Sequence, residues 1–368
     1  MPRHLKTHAV RLEFSAGTLV HSNLSGAVFV GDDLWVAGDE ACGLDRLHRL
    51  APSGREMLRY GAPANFPLAG LLDLPDAADV EADIEGLDVE DGYLWLVGSH
   101  GLKRKQPKPG RSEKDNLRRL ATLCRDGNRC LLARIPLIEQ HGTSTLARHT
   151  ADGRQAARLR GDTAGNDLTD LLRRDAHFAP YLAIPGKDNG FDIEGLAVRG
   201  DRVLLGLRGP VLRGWAGLLE LQPVEKKGTL RLAGIGLGEQ RYRKHFVHLA
   251  GLGIRDLHWH GDDLYLLAGP TMVLDGAIRV YRWEDAAGAL AGVADDADAV
   301  LWDASRNSMP REIMALPYGV GQDRAEALTQ LPPALAPSDA PHWLVLYDAP
   351  GAARHDGDYV VFGDVLSR

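Results

Sequence analysis

The string Asp-Ile-Glu-Gly-Leu occurs twice in this 368-residue chain, at Asp83–Leu87 and at Asp192–Leu196. In an extended strand side chains alternate, so the Asp and Glu of each copy point to the same side. Related segments begin at Asn23, Gly253 and Arg324. Aligning all five puts Ser25, Glu85, Glu194, Arg255 and Glu326 at one position, and Asn23, Asp83, Asp192, Gly253 and Arg324 two residues earlier. Where such strands converge on a common axis, three carboxylates and one guanidinium meet. Three carboxylates about 6 Å apart at an effective dielectric near 20 repel by about 3 kcal/mol per pair, roughly 8 kcal/mol in all. That rivals the stability of a typical domain. A divalent cation (calcium, magnesium or manganese) held by Glu85, Glu194 and Glu326 would relieve it, since hard cations take oxygen ligands. Arg255 is a second source of relief, and raised carboxyl pKa values are a third. The residues also allow a purely structural role. The glutamates would then accept backbone N–H groups from neighbouring strands and lock a ring, with Gly86 and Gly195 permitting close approach.

The segments that follow carry cations. His100, Lys103, Arg208, Arg213 and Arg255 could form a basic rim around the acidic centre, with Asp39, Glu40 and Asp348 on the same face. Arginine presents a fork that matches phosphate or carboxylate. An anionic small molecule on that rim, above a cation, suits hydrolysis of a phosphoester or lactone. In that reading Arg208 or Arg255 neutralises developing charge and His100 is the general base. Asp83, Asp192, Lys103 and Arg213 would contact the substrate. The other reading is a non-catalytic face that binds a protein or a metabolite, and sequence alone leaves the two open. Other catalytic signatures are absent: there is no Gly-x-Ser-x-Gly, no Walker loop and no His-Glu-x-x-His. His258 and His260 lie on one side of a strand and read as structural. Cys124 and Cys130 flank a turn without the further ligands that zinc requires, so free thiols are expected.

These side chains need elements to position them. Each segment has a short alternating strand, then usually a tight turn (Gly31-Asp32-Asp33, Asp91-Gly92, Gly200-Asp201, Gly261-Asp262), then a strand rich in Leu, Val, Trp or Tyr. That is the signature of antiparallel hairpins. Two further strands are expected in each unit: Leu44–Leu50 and Arg55–Tyr60, Leu117–Cys124 and Cys130–Leu137, Gly217–Gln222 and Leu230–Ile235, Ala277–Trp283 and Val300–Asp303. The fifth unit has Trp343–Asp348 and Tyr359–Val365 and lacks a fourth strand, which His8–Phe14 can supply. The pattern predicts an all-β, five-bladed β-propeller over residues 1–368 as one domain, its last blade closed by the N-terminal strand. An insertion at about 138–187, between blades two and three, should lie on the channel-mouth face and cover the opening. Within it Asn166–His177 is expected to be helical, with Asn166 as N-cap. Ala286–Ala299 reads as a solvent loop.

Composition narrows the function classes. Hydrophobic residues are 44% and charged residues 25%, which supports a packed core. The net charge of −7 opposes a nucleic-acid or anionic-membrane partner. The basic run Lys103–Lys114 has no aromatic interleaving and reads as a solvated loop. No apolar run is long enough for a membrane span or a signal peptide, so a cytoplasmic location is expected. The expected partner is a small anionic ligand or a protein at the channel mouth.

The paired Asp-Ile-Glu-Gly-Leu motifs, with Gly98-Ser99-His100 before the basic stretch Lys103-Arg104-Lys105 and Gly206-Leu207-Arg208-Gly209-Pro210 after the second copy, resemble the bacterial domain of unknown function 3616. That resemblance spans roughly Asn23 to the end. It implies a propeller-like β fold and assigns no activity. A wider similarity of fold and position, covering Asp83, Glu85, Asp192, Glu194 and Glu326, is to the phytase-like esterases and lactonases. In those propellers, acidic residues at the starts of inner strands hold a divalent cation.

Overall fold

A computed structural model describes residues 4–367 apart from 53–57, 237–239, 307 and 337–340. Among these residues the chain is mainly strand, organised as consecutive antiparallel units whose first strands are neighbours in a ring. Unit one is Leu24–Val30, Asp33–Gly38, Gly43–Leu50 and Leu58–Pro67. Unit two is Ile84–Glu90, Tyr93–Gly98 and Leu132–Gln140, whose outer edge pairs with Thr143–Leu146 and Ala157–Arg158. Unit three is Asp192–Arg199, Arg202–Leu212, Trp215–Leu221 and Tyr242–His248. Unit four is Gly253–His260, Asp263–Gly269, Ile278–Trp283 and Pro310–Leu316. Unit five is Arg324–Gln330, Trp343–Asp348, Val360–Ser367 and the N-terminal strand His4–Glu13.

The N-terminal strand closes the molecule as the repeat predicts. It pairs antiparallel with Val360–Ser367 and parallel with Leu58–Tyr60, so the outer strands of units five and one join. No edge is left exposed there. The His8 N–H donates to Asp364 at 2.7 Å, and Arg354 grips the same carboxylate at 2.9 and 2.8 Å.

The core lies between units rather than inside one sandwich. Val28, Trp35 and Leu44 pack on Ile84, Leu94 and Leu96 of unit two. Trp95 and Val97 pack on Leu196, Val203 and Leu205 of unit three. Equivalent layers join unit three to four through Leu204, Leu218 and Trp283, four to five through Tyr265, Leu267 and Trp343, and five to one through Leu346, Val36 and Leu12. The inner strands approach so closely that a Cβ at Gly86 would lie 2.7 Å from the Leu196 Cβ, and one at Gly195 would lie 2.7 Å from the Leu257 Cγ. This is why glycine follows the glutamate in both motifs.

Several strand assignments are corrected. Leu117–Cys124 is mostly helix: α1, Glu113–Ala121, starts at Ser112, whose side chain accepts the Asp115 N–H at 3.1 Å. Its acidic first turn and basic last turn favour helix over strand. Thr229–Leu232 forms a side hairpin with Pro223–Lys226, so Leu230–Ile235 is not the fourth strand of unit three; Tyr242–His248 is. Ala299–Trp302 adds parallel to that strand, and Pro310–Leu316 completes unit four. Of the expected strand Arg55–Tyr60, residues 55–57 lie outside the described residues, and Leu58–Tyr60 is strand. The first part of the expected insertion belongs to the outer edge of unit two. In the remainder, α2 spans Asp167–Leu172 with Asn166 as a capping-box N-cap, and stops short of His177. The segment Ala286–Ala299 holds a third helix, α3, at Ala286–Ala291. No described helix is long and apolar enough to cross a membrane.

Candidate functional site

Inner strands and second-strand exits meet at a cavity of about 70 Å³. Its charged lining is Asp39, Glu85, Glu194, Glu326 and Asp348 against Lys187, Arg208, Arg255 and Arg324. Strand register explains the set. Ile84, Ile193 and Ala325 pair with Gly98, Leu207 and Tyr347, and Leu24 pairs with Gly38. The residues after these partners are Asp39, Ser99, Arg208 and Asp348, of which all but Ser99 line the cavity.

The arginines occupy the centre. Arg208 binds Asp192 and lies 2.6 Å from Glu194, while Arg255 lies 3.4 Å from Glu194 and binds Glu326. The other arm of Arg255 donates to the Pro270 carbonyl at 3.0 Å. Toward the opening, Lys187 stands 3.5 Å from Asp39 and Arg324 stands 3.5 Å from Asp348. Glu85 is different. It is 5% exposed, lines the cavity, and makes no hydrogen bond or ion pair among the described residues. Burial pushes its carboxyl well above the usual range, and Asp83, Glu194, Glu326 and Asp39 push it further. Burial lifts Glu194 to about 8 against the pull of Arg208 and Arg255. It lifts Asp39 to about 7, opposed by Lys187, and Asp348 to about 6.

Of the carboxylates expected to hold a divalent cation, Glu194 and Glu326 are otherwise engaged. Among the described residues no group of three or more His, Cys, Asp or Glu comes together in a way that could hold a metal ion. The physical reason is that guanidiniums sit between the carboxylates expected to share the cation. Glu194 and Glu326 are bridged by Arg255, and Arg208 occupies the other side of Glu194. The donor set therefore does not fit calcium, magnesium or manganese.

The basic rim does not assemble either. His100 is buried, its Nδ1 bonds the Gly98 carbonyl at 2.7 Å, and its Nε2 lies 2.8 Å from the Asn166 amide. The Asn166 amide nitrogen is a donor, so Nε2 accepts and Nδ1–H donates. Burial holds this histidine down to about 4. Both nitrogens are engaged, and the ring is not among the residues that line the cavity. Lys103 turns away from the cavity to Glu81. Arg213 sits in the exposed turn between Arg202–Leu212 and Trp215–Leu221, outside the cavity lining. Asp83 and Asp192 are buried behind the cavity on Arg129 and Arg208 and do not line it.

The ring is locked, but not by the glutamates. Asp88 accepts the Val198 N–H at 2.6 Å and Asp256 accepts the Leu328 N–H at 2.7 Å, while Ser25 donates to the Ile84 carbonyl. His258 and His260 are structural, packing on Trp343. All three cysteines are free.

Two site residues escaped sequence reasoning. Lys187 lies five residues before Asp192, in the loop entering an inner strand, and that position was the available signal. Arg129 stands in Asp126–Cys130, which reads as a plain turn. It carries Asp83 and, at 2.7 Å, Glu81. A larger cavity of about 540 Å³, lined by Arg199, Arg202, Trp259 and Leu290 between units three and four, includes none of the motif acids.

Comparisons with known proteins place this geometry in context. No curated protein sequence matches the chain. Among solved structures, it is similar to glutaminyl cyclase of Myxococcus xanthus (10% identity, 97% of each chain covered, TM-score 0.37). It is also similar to the PQQ-bound aldose sugar dehydrogenase of Streptomyces coelicolor (12% identity, 100% of this chain and 99% of that one, TM-score 0.35). A third is a GH43 protein of Bacillus licheniformis (11% identity, TM-score 0.37), where 94% of this chain spans half of that one's length. Residues 23–364 match the family described as "Protein of unknown function (DUF3616)", and the chain belongs to that family.

Proposed function

We propose that the chain is a five-bladed propeller whose channel mouth binds a small metabolite in a pocket that uses no divalent metal. The blade count is supported by the interface layers that join each unit to the next and return to unit one. One observation carries the binding reading: Glu85, a buried acid that makes no hydrogen bond or ion pair among the described residues, lines a cavity where every other charge has an opposite one within ion-pair distance. A buried polar group is costly unless something satisfies it, and a ligand is the missing partner.

Ligand-observed NMR with a fragment library tests this, using wild type and Val273→Trp, which fills the exposed rim of the cavity. The expected result is a set of fragments that bind wild type and lose binding in the variant. A library with no such fragment overturns the reading.

Hydrolysis of a small phosphoester or lactone is a second reading, favoured by Glu194. A carboxyl that burial lifts to about 8 against the pull of two guanidiniums exchanges its proton near neutral pH and can deliver it to a leaving oxygen. Hydrolysis of p-nitrophenyl phosphate or a γ-lactone, lost in Glu194→Gln and insensitive to EDTA, is the expected signature.

A further inference from the structure

Resting on the pocket reading above, we propose that the occupant carries a single primary ammonium group, held by Glu85. Five acidic side chains line the cavity, and four of them have a cation within ion-pair distance. Lys187 stands by Asp39, Arg324 by Asp348, Arg255 by Glu326 and Glu194, and Arg208 by Glu194 and Asp192. One lining acid, Glu85, has no cation within ion-pair distance, and with Asp192 the acids named outnumber the cations six to four, so its complement is a positive charge.

Other ligand chemistries fit less well. An anion would have to pull Arg208 or Arg255 from buried carboxylates while meeting Glu85. Stripping such a pair leaves uncompensated buried charge. A divalent cation would have to detach Glu194 or Glu326 from the same arginines, and no three ligands are grouped for it. A quaternary ammonium is normally recognised by an aromatic cage, and no aromatic residue lines this cavity. A primary ammonium brings one charge and three N–H donors on a narrow stem. The volume of about 70 Å³ accommodates such a head group. The half-exposed Met272 and Val273 at the rim offer apolar contact to the stem. Asp83, Glu194, Glu326 and Asp39 act on Glu85 as like charges, and Arg208 and Arg129 act on it only from beyond ion-pair distance.

Titration calorimetry of the full chain with n-propylamine hydrochloride and with sodium propionate, at matched ionic strength, tests the proposal. Propylamine should bind, propionate should not, and Glu85→Gln should weaken propylamine at least tenfold. Val273→Arg, which sets a guanidinium at the rim without touching the acids, should also abolish amine binding with an unchanged circular dichroism spectrum. Equal amine binding by wild type and Glu85→Gln overturns the proposal. So does propionate binding that Val273→Trp blocks, in the absence of amine binding; that outcome rejects the ammonium while leaving the pocket reading intact. Absence of binding by both probes rejects the ammonium, and the fragment screen then decides the pocket separately.

Discussion

The two Asp-Ile-Glu-Gly-Leu motifs are identical in sequence and opposite in electrostatic circumstance. In unit three, Arg208 on the neighbouring strand serves Asp192 and Glu194 together, and Arg255 of unit four reaches Glu194 from the other side. In unit two, the position equivalent to Arg208 is Ser99. Asp83 is instead served from behind by Arg129, and Glu85 has no cation within ion-pair distance among the described residues. The same five residues thus build a rigid ion-paired wall in one blade and an unpaired acid in the next. The difference lies in one residue on the adjacent strand. It follows that a repeated motif marks a position in a ring, while the partner strand sets what that position does.

The largest test of the contrast removes the arginines. Arg208→Met should destabilise the fold by about 3–5 kcal/mol in guanidinium denaturation, because Asp192 then remains buried without its ion-pair partner and Glu194 keeps only Arg255. Arg255→Met should fall in the same range through Glu326. A loss below about 1 kcal/mol for both would mean that unit three does not depend on its ion pairs, and the contrast with unit two would collapse.

A smaller effect of opposite sign is expected at Glu85. Its folded-state pKa lies above the unfolded value, so the folded chain holds a proton there that the unfolded chain releases as pH rises. The associated stability is complete below about pH 4 and declines through the neutral range. Glu85→Gln should therefore match wild type near pH 4 and be the more stable of the two near pH 8, by on the order of the 1–3 kcal/mol that an unsatisfied buried polar group costs. Urea melts at the two pH values measure this. A variant less stable than wild type at pH 8 would assign Glu85 a partner and make the two motifs alike.

The smallest effect expected is that of divalent ions. Calcium, magnesium, manganese or EDTA should each move the melting temperature by no more than about 1 °C, since a ligand stabilises only by its binding to the folded state. A saturable rise with one of these ions, lost in Glu85→Gln, would restore a metal to the channel mouth.

Local and periodic signals along the chain specify the propeller-like arrangement. Period-two alternation, turn residues and the repeated motif were enough to set the hairpins, the shared position of Ser25, Glu85, Glu194, Arg255 and Glu326, and the closure by the N-terminal strand. These are local or periodic signals, carried by residues close together in the chain. Helix α1 and the side hairpin at Thr229–Leu232 were misread because short apolar runs look alike in helix, edge and core, and only packing distinguishes them. The charge pairing was decided by tertiary structure alone. Arg255 meets Glu326 across 71 residues of sequence, Arg129 reaches back 46 residues to Asp83, and Lys187 reaches Asp39 from the insertion. Whether a carboxylate meets a metal, an arginine or nothing depends on which side chain the neighbouring strand delivers within about 4 Å. Spacing along one strand carries no information about that distance.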